Sequence, residues 1–592
     1  WLSRSLGLVL VTSAGLFAGT EGPSGHIGAI TSLGIAQFVY KIFGKYLPLF
    51  GHHSSCEFVA MGTATGVAAA FGAPVGGILF SLEEASSFWS KSLTWRSFVS
   101  SMIAAAVAKA ANAGFRDLPL SGFIDFPDLQ VGFELWELAP FVGIAVCTSL
   151  LGALFCWCVR RVTLLRGRLC LSRGWRRRCA MQVLEVLVVS VFTMAVCFWL
   201  PLLVGCKQLD PERTSSSTGG VTDAWYVGKQ ARTVCNEGQY SDIGTLLLQP
   251  KETAIKHLFT RSFEGGAEFA TDKLFLCSGL VFVLTLMTYG TAIPTGLFVP
   301  NILIGACFGR GVGQIVSGAF DGSVHPGVHA LVGAAGMLAG IGRMSVSLTM
   351  IILEITNSMR LLLPVLLCVL ISKALADQLT DSVYDIGIAL HPLKDISVLQ
   401  GELDEEDMPL LRYLTVHDAC TVEVHTLKCH EQPSLIVSTL MQTKFSGFPL
   451  VSTPEHEVVG LILRERIVEA LKDSADGPID LLQYADETPE VKHWNTPLAK
   501  AHRHFTAAGL RHLCVVDEEH RLVGIMTRSD LAPLSHPRTR RVAVHDLLLR
   551  KQSALSQANM GMEMPDVYES DGGSDATSVA SMSPRGGKGF WY

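Results

Sequence analysis

Five residues near the start of the chain, Gly19-Thr20-Glu21-Gly22-Pro23, place a carboxylate straight after an apolar stretch, and Glu83-Glu84 close a later apolar run. An acid inside an apolar segment is costly and mostly faces a pathway, a partner or a cavity. Glycines beside Glu21 let backbone N–H groups approach a ligand closely, and a helix beginning there would attract anions. A carboxylate standing where an anion should sit reads as a gate, a proton carrier, or both.

The elements that must hold these acids are membrane helices. The 592 residues are only 17% charged, and the mean hydropathy of +0.36 is too apolar for an ordinary soluble protein of this size. Apolar runs of membrane-spanning length recur at about 6–19, 59–82, 97–110, 139–159, 183–204, 274–290 and 361–376. Several are short and broken by Gly and Pro, which suits transporters whose half-helices end inside the membrane. The alternative is a large soluble α-protein with buried helices.

The net charge of −6 says less than its distribution. Eight arginines and no acid lie between Arg160 and Arg178, after one long apolar run and before another. Such a loop belongs on the cytoplasmic side. The next loop, about 205–273, then lies on the opposite, luminal or external face. Its Cys206 and Cys235 form a disulfide if that compartment is oxidising and are free thiols if it is not. The other cysteines sit mostly in apolar runs, as small hydrophobes.

Two regimes divide the chain: an apolar, Gly/Ala-rich part over 1–390, and a polar part of alternating strands and helices over 391–550. The stretch 551–592, with its Ser, Gly and Met, reads as a disordered tail. A constant offset sets Met61–Glu84 against Leu331–Glu354 and pairs Gly66 with Gly336, Gly72 with Gly342 and Glu84 with Glu354. Each segment is a small-residue helix, a glycine break and an apolar helix ending on Glu. Repeats of this kind, often inverted, place a transport site at their interface; composition bias is the alternative.

A second repeat lies in the polar part. Gly447-Phe448-Pro449-Leu450-Val451 leads to Val458-Val459-Gly460-Leu461-Ile462, and Leu513-Cys514-Val515-Val516-Asp517 leads to Leu522-Val523-Gly524-Ile525-Met526. Each reads as strand, polar turn, strand and helix start. The two units, about 412–472 and 488–535, resemble a pair of CBS domains, which can bind an adenine nucleotide such as ATP in the cleft. Thr527 and Asp530 suit that role, Asp530 accepting ribose hydroxyls while backbone N–H groups face phosphate. The alternative is that they cap a helix, and the first unit carries Arg464-Glu465-Arg466 where an Asp would be wanted.

Together Gly19–Pro23, the run Phe71–Glu84 (Phe-Gly-Ala-Pro-Val-Gly-Gly-Ile-Leu-Phe-Ser-Leu-Glu-Glu) and Gly296-Leu297-Phe298-Val299-Pro300 resemble the CLC chloride channels and transporters. Trp89, Thr94-Trp95-Arg96 and Ala508-Gly509-Leu510-Arg511-His512-Leu513 are most similar to the late-endosomal and lysosomal branch of chloride/proton exchangers. The resemblance implies an all-α polytopic membrane domain of two inverted repeats with broken helices, followed by a cytoplasmic α/β CBS pair. It implies roles as well. Glu21 would be the gating glutamate and Glu84 the proton glutamate, while Glu83 faces elsewhere because adjacent helical residues do not share a face. Gly22, Leu297 and Phe298 would offer an anion site from the backbone at a helix N-terminus. Tyr384 would add its phenolic O–H, its alternative being an interfacial anchor.

Two departures stand out. Thr20 occupies a position that is usually Lys or Arg in the family, which weakens the positive field near the anion path. The chain also starts at Trp1 without an initiator Met and is expected to lack its N-terminus, so the family's serine-bearing anion motif would precede it.

The expected function is chloride/proton antiport, not enzymatic catalysis, across a lysosomal, late-endosomal or vacuolar membrane, with the CBS domains in the cytoplasm. Alternatives are a voltage-gated chloride channel of the same fold and an exchanger preferring another anion such as nitrate. The resemblance further implies a homodimer in the lipid bilayer and allows a luminal accessory subunit. Neither a nucleic-acid partner nor a required cofactor is expected. A divalent-cation transporter using Glu21, Glu84 and Glu354 is disfavoured, because hard cations want clustered oxygen ligands and these acids have few companions.

Overall fold

The computed structural model describes residues 1–551 except 44–51, 87–88, 113–132, 172–174, 209–234, 236–238, 260–268, 321–323, 391–412, 423, 453–454, 474–476 and 536–541. The expected tail thus lies outside the described residues, apart from its first. The chain forms two compact units, a helical one whose described part ends at Leu390 and an α/β one described from Tyr413 onward.

The helical unit begins with α1 (Leu2–Ser13), α2 (Glu21–Phe43), α3 (His52–Phe71), α4 (Pro74–Phe80) and α5 (Lys91–Asn112). Two long helices follow, α6 (Leu138–Leu171) and α7 (Trp175–Val204), then short α8 (Asp242–Leu247) and α9 (Lys251–Phe259). The remainder is α10 (Thr271–Thr288), α11 (Phe298–Ala319), α12 (Pro326–Gly342), α13 (Val346–Thr356), α14 (Leu362–Leu379) and α15 (Val383–Leu390). Five helical stretches among the described residues are long and apolar enough to cross a membrane.

One apolar run differs from its sequence reading, and one candidate span was not read as a run. The run 59–82 is two helices, α3 and α4, turned at Gly72, whose φ of 64° is open to glycine at little cost. The helix α11 was missed as a span because Asn301, Arg310 and Gln314 interrupt its apolar pattern. The fully buried Arg310 donates from Nη1 to the carbonyls of His257 and Leu258, satisfying orphan acceptors at the end of α9.

Glycine lets neighbouring helices touch in both halves, as in membrane packing generally. A Cβ on Gly66 would sit 2.3 Å from the Ser24 carbonyl oxygen, binding α3 to α2; one on Gly309 would sit 2.1 Å from that of His329, binding α11 to α12. Between α7 and α8, strands β1 (Lys207–Gln208) and β2 (Gln239–Tyr240) pair antiparallel, and Cys206 and Cys235 are disulfide-bonded.

In the second unit, β3 (Leu427–Lys428) and β4 (His430–Glu431) precede α16 (Pro433–Gln442) and the hairpin β5 (Gly447–Val451) and β6 (Val458–Leu463). Helix α17 (Arg464–Asp473), β7 (Ile479–Asp480), β8 (Val491–His493) and α18 (Leu498–Ala507) lead to the hairpin β9 (His512–Val516) and β10 (Leu522–Thr527), then α19 (Arg528–Ser535). The sheets β3-β5-β6 and β8-β9-β10 have one topology, a parallel pair and then an antiparallel one. Each hairpin turns on a histidine of positive φ, His456 and His520, and the turns meet through a Glu457–Arg521 bridge.

Candidate functional site

The loops before α2 and α11 are clamped together. Gly19 N–H donates to Gly296 O at 2.7 Å and Gly296 N–H to Gly19 O at 3.0 Å, so two helix N-termini meet at one place. Both loops read Gly-x-x-x-Pro, Gly19–Pro23 and Gly296–Pro300, an alignment that the constant offset of the other repeat does not reveal. Glu21 opens α2 and is buried. Its Oε1 accepts from Val299 N–H at 3.1 Å, and its Oε2 is buried without a hydrogen-bond partner. Little else fits beside it: a Cβ on Gly19 would lie 2.1 Å from Oε2, and one on Gly296 2.5 Å.

The amide that receives Glu21 is therefore that of Val299, one residue beyond the Leu297 and Phe298 singled out from sequence. Leu297 is the N-cap of α11. The Phe298 ring packs 5.5 Å from Phe71 and 6.0 Å from Phe80, which joins α11 to α3 and α4. Gly22 lies against the second loop, where an added Cβ would come 3.7 Å from Gly296 Cα. The first N–H groups of a helix have no intrahelical partner and carry its positive end. A carboxylate and a small anion can thus compete for the same amides.

On the other side of Phe80, the chain leaves α4 through a π-helical turn, Ser81–Ala85, a distortion common at functional sites. It directs the two glutamates differently. Glu83 is fully occupied: Oε1 accepts from Ser345 N–H and Oγ, both at 2.7 Å, and Oε2 from Ser347 N–H at 3.0 Å and Oγ at 2.6 Å. Glu84 is half-buried within electrostatic range of Asp385, Glu83 and Lys373. Tyr384, on α15 and half-buried, lies in electrostatic range of Glu84, Tyr289 and Glu21.

Glu354 is engaged at another helix start. Its carboxylate accepts from Val75 N–H at 3.1 Å and Gly76 N–H at 2.7 Å, at the start of α4. The partner in that exchange is Glu83 rather than Glu84, because Glu83 does the same at the start of α13. In the second unit, Asp530 Oδ2 accepts from Thr527 N–H at 2.7 Å and Oγ1 at 2.8 Å, the helix-capping arrangement, while Oδ1 receives a long contact of 3.5 Å from Thr421.

The family follows from comparison with known proteins. A family model described as voltage gated chloride channel matches residues 1–377, and a CBS domain model matches 495–535. The chain belongs to the voltage-gated chloride channel (CLC) family. Among its relatives, chloride channel protein CLC-d of Arabidopsis thaliana is 30% identical over 591 residues, covering 90% of this chain and 73% of its own. The human H(+)/Cl(-) exchange transporter 7 is 29% identical over 585 residues, covering 89% and 69%. The fold also matches the crystal structure of a eukaryotic CLC transporter, with a TM-score of 0.58 at 24% identity over 89% of this chain and 79% of that one. The fold is thus a helical CLC membrane domain followed by CBS-type α/β structure.

Proposed function

We propose that this CLC protein exchanges chloride for protons across the membrane of an acidic intracellular compartment. The observation that carries the reading is Glu21 seated on the Val299 amide, with one oxygen bound and the other unpartnered. A deprotonated Glu21 holds the helix N-terminus as an anion would. Protonation removes the charge, weakens that hold and lets chloride take the amides. Tyr384 is within electrostatic range of both Glu21 and Glu84, which suits delivery of protons to Glu21 from Glu84. The likeness to an H(+)/Cl(-) exchange transporter supports the same reading.

Orientation follows from charge and redox chemistry. The arginines at the end of α6 and the start of α7 favour the cytoplasm, and the disulfide after α7 favours an oxidising lumen. We further propose a homodimer, and an adenine nucleotide at Thr527 and Asp530 once Asp530 yields its weak Thr421 contact.

The test is transport in reconstituted vesicles. A chloride gradient should drive protons uphill, and Glu84→Ala should keep chloride flux while abolishing proton flux. Chloride movement by the wild type with a reversal potential indifferent to pH would mean a passive channel instead.

A further inference from the structure

A cavity of about 230 Å³ opens beside Glu21, and its lining includes a second acid, Glu252. Glu252 lies in the first turn of α9 and is exposed, whereas Glu21 is 2% exposed. The two carboxylates are within electrostatic range of one another. Glu21 Oε2 is buried without a hydrogen-bond partner, so the carboxylate keeps an unsatisfied acceptor for a proton. At ~30 Å³ per water, the cavity has room for several.

The other groups leave this role to Glu252. The walls from α3, α11, α12 and α13 carry only apolar side chains and the Thr356 hydroxyl. Thr20, beside Glu21, has no charge to lend. Lys251 is turned aside: its ammonium donates to Gly15 O at 3.0 Å and lies 4.5 Å over the Phe17 ring. Tyr384 bears on Glu21 from α15 and does not line this cavity.

We propose that Glu252 is a second proton-carrying carboxylate, passing protons between the solvent at the α9 side of the membrane and Glu21 through this cavity. In the inward direction, Glu252 gives its proton to cavity water, and the water gives one to the Glu21 carboxylate. One O–H bond breaks at Glu252, one forms at Glu21, and bulk water reprotonates Glu252. No further reactant is needed. The inference rests on the exchange reading above and adds the outer half of its proton route.

The test uses the full-length protein in vesicles, with chloride-driven proton flux and chloride flux measured across a range of pH at the α9 face. Glu252→Gln should lower maximal exchange about tenfold. That is less than the ~10²–10⁴ of a fully committed proton donor, because bulk water retains a slower path to Glu21. Glu252→Asp should restore most of the rate, and imidazole at the α9 face should restore Glu252→Gln. An unchanged maximal rate in Glu252→Gln, a midpoint shift alone, or a loss that neither Asp nor imidazole repairs would overturn the relay. A wild type that moves chloride without protons would sink the exchange reading itself; coupled wild type with unaffected Glu252→Gln would sink only this inference.

Discussion

At the scale of single residues, the site depends on what is missing as much as on what is present. The carboxylate of Glu21 fits because Gly19 and Gly296 have no Cβ, which would otherwise lie 2.1 and 2.5 Å from Oε2. Gly296→Ala should therefore expel Glu21 from the Val299 amide without touching any titratable group. Proton coupling should fall as in Glu21→Ala, with chloride flux becoming insensitive to pH. Paired chloride and proton flux measurements check this, and a fully coupled Gly296→Ala would show that the seat at Val299 is dispensable. The acids themselves were legible in the sequence, since a carboxylate in a Gly-rich apolar context is rare enough to stand out. The Val299 amide was not, because any residue there supplies the same N–H.

At the scale of elements, α4 and α13 hold each other by reciprocal carboxylates. Glu354, near the end of α13, binds the start of α4; Glu83, beyond the end of α4, binds the residues that open α13. An acid at a helix N-terminus is stabilised by the macrodipole and the orphan N–H groups. Glu83 takes four hydrogen bonds and Glu354 two, so their losses should differ. Glu83→Ala should cost about 3 kcal/mol and Glu354→Ala about 1.5 kcal/mol, at about 0.75 kcal/mol per bond, inside the net range for a hydrogen bond in a folded protein. Thermal unfolding of the purified protein in detergent measures both; equal losses would refute the reciprocal cap. The sequence repeat paired Glu84 with Glu354, one residue away from the structural partner. A constant offset cannot register a π turn. It also missed the pairing of the Gly-x-x-x-Pro loops, which follow a different spacing; and α11, expected only as a helix start, was not read as a span, because its buried Arg310 looks like a surface charge until its carbonyl partners are known.

At the scale of the whole molecule, stability is divided among separate cores. The membrane unit has a large one, around Phe141, Leu303 and Val332, and a small one, around Val11, Leu16 and Val189. The α/β unit has two, around Phe448 and Ile462 and around Phe505 and Met526, one for each copy of the strand repeat. Its two copies also share a device: Arg464 donates to Thr443 O at 2.7 Å and Arg528 to Leu510 O at 2.9 Å, each from the helix start that follows its hairpin. Perturbations should then stay local. Asp530→Ala removes the Thr527 cap and should cost the α/β unit about 1 kcal/mol, with chloride-driven proton flux unchanged in the absence of nucleotide. The disulfide acts on the other unit. It closes a loop with a sequence separation of 29, for which loop-closure entropy gives about 3.5 kcal/mol. Replacing Cys206 and Cys235 together by Ser should lower the membrane unit's unfolding temperature and leave the proton-to-chloride ratio intact, because the two cysteines flank β1 and β2 and belong to none of the elements that carry Glu21, Glu84 and Tyr384. Reductant should reproduce the shift in the wild type and add nothing to the double Ser variant. A change in the transport ratio instead would mean that the β1–β2 region takes part in exchange and does more than brace the fold.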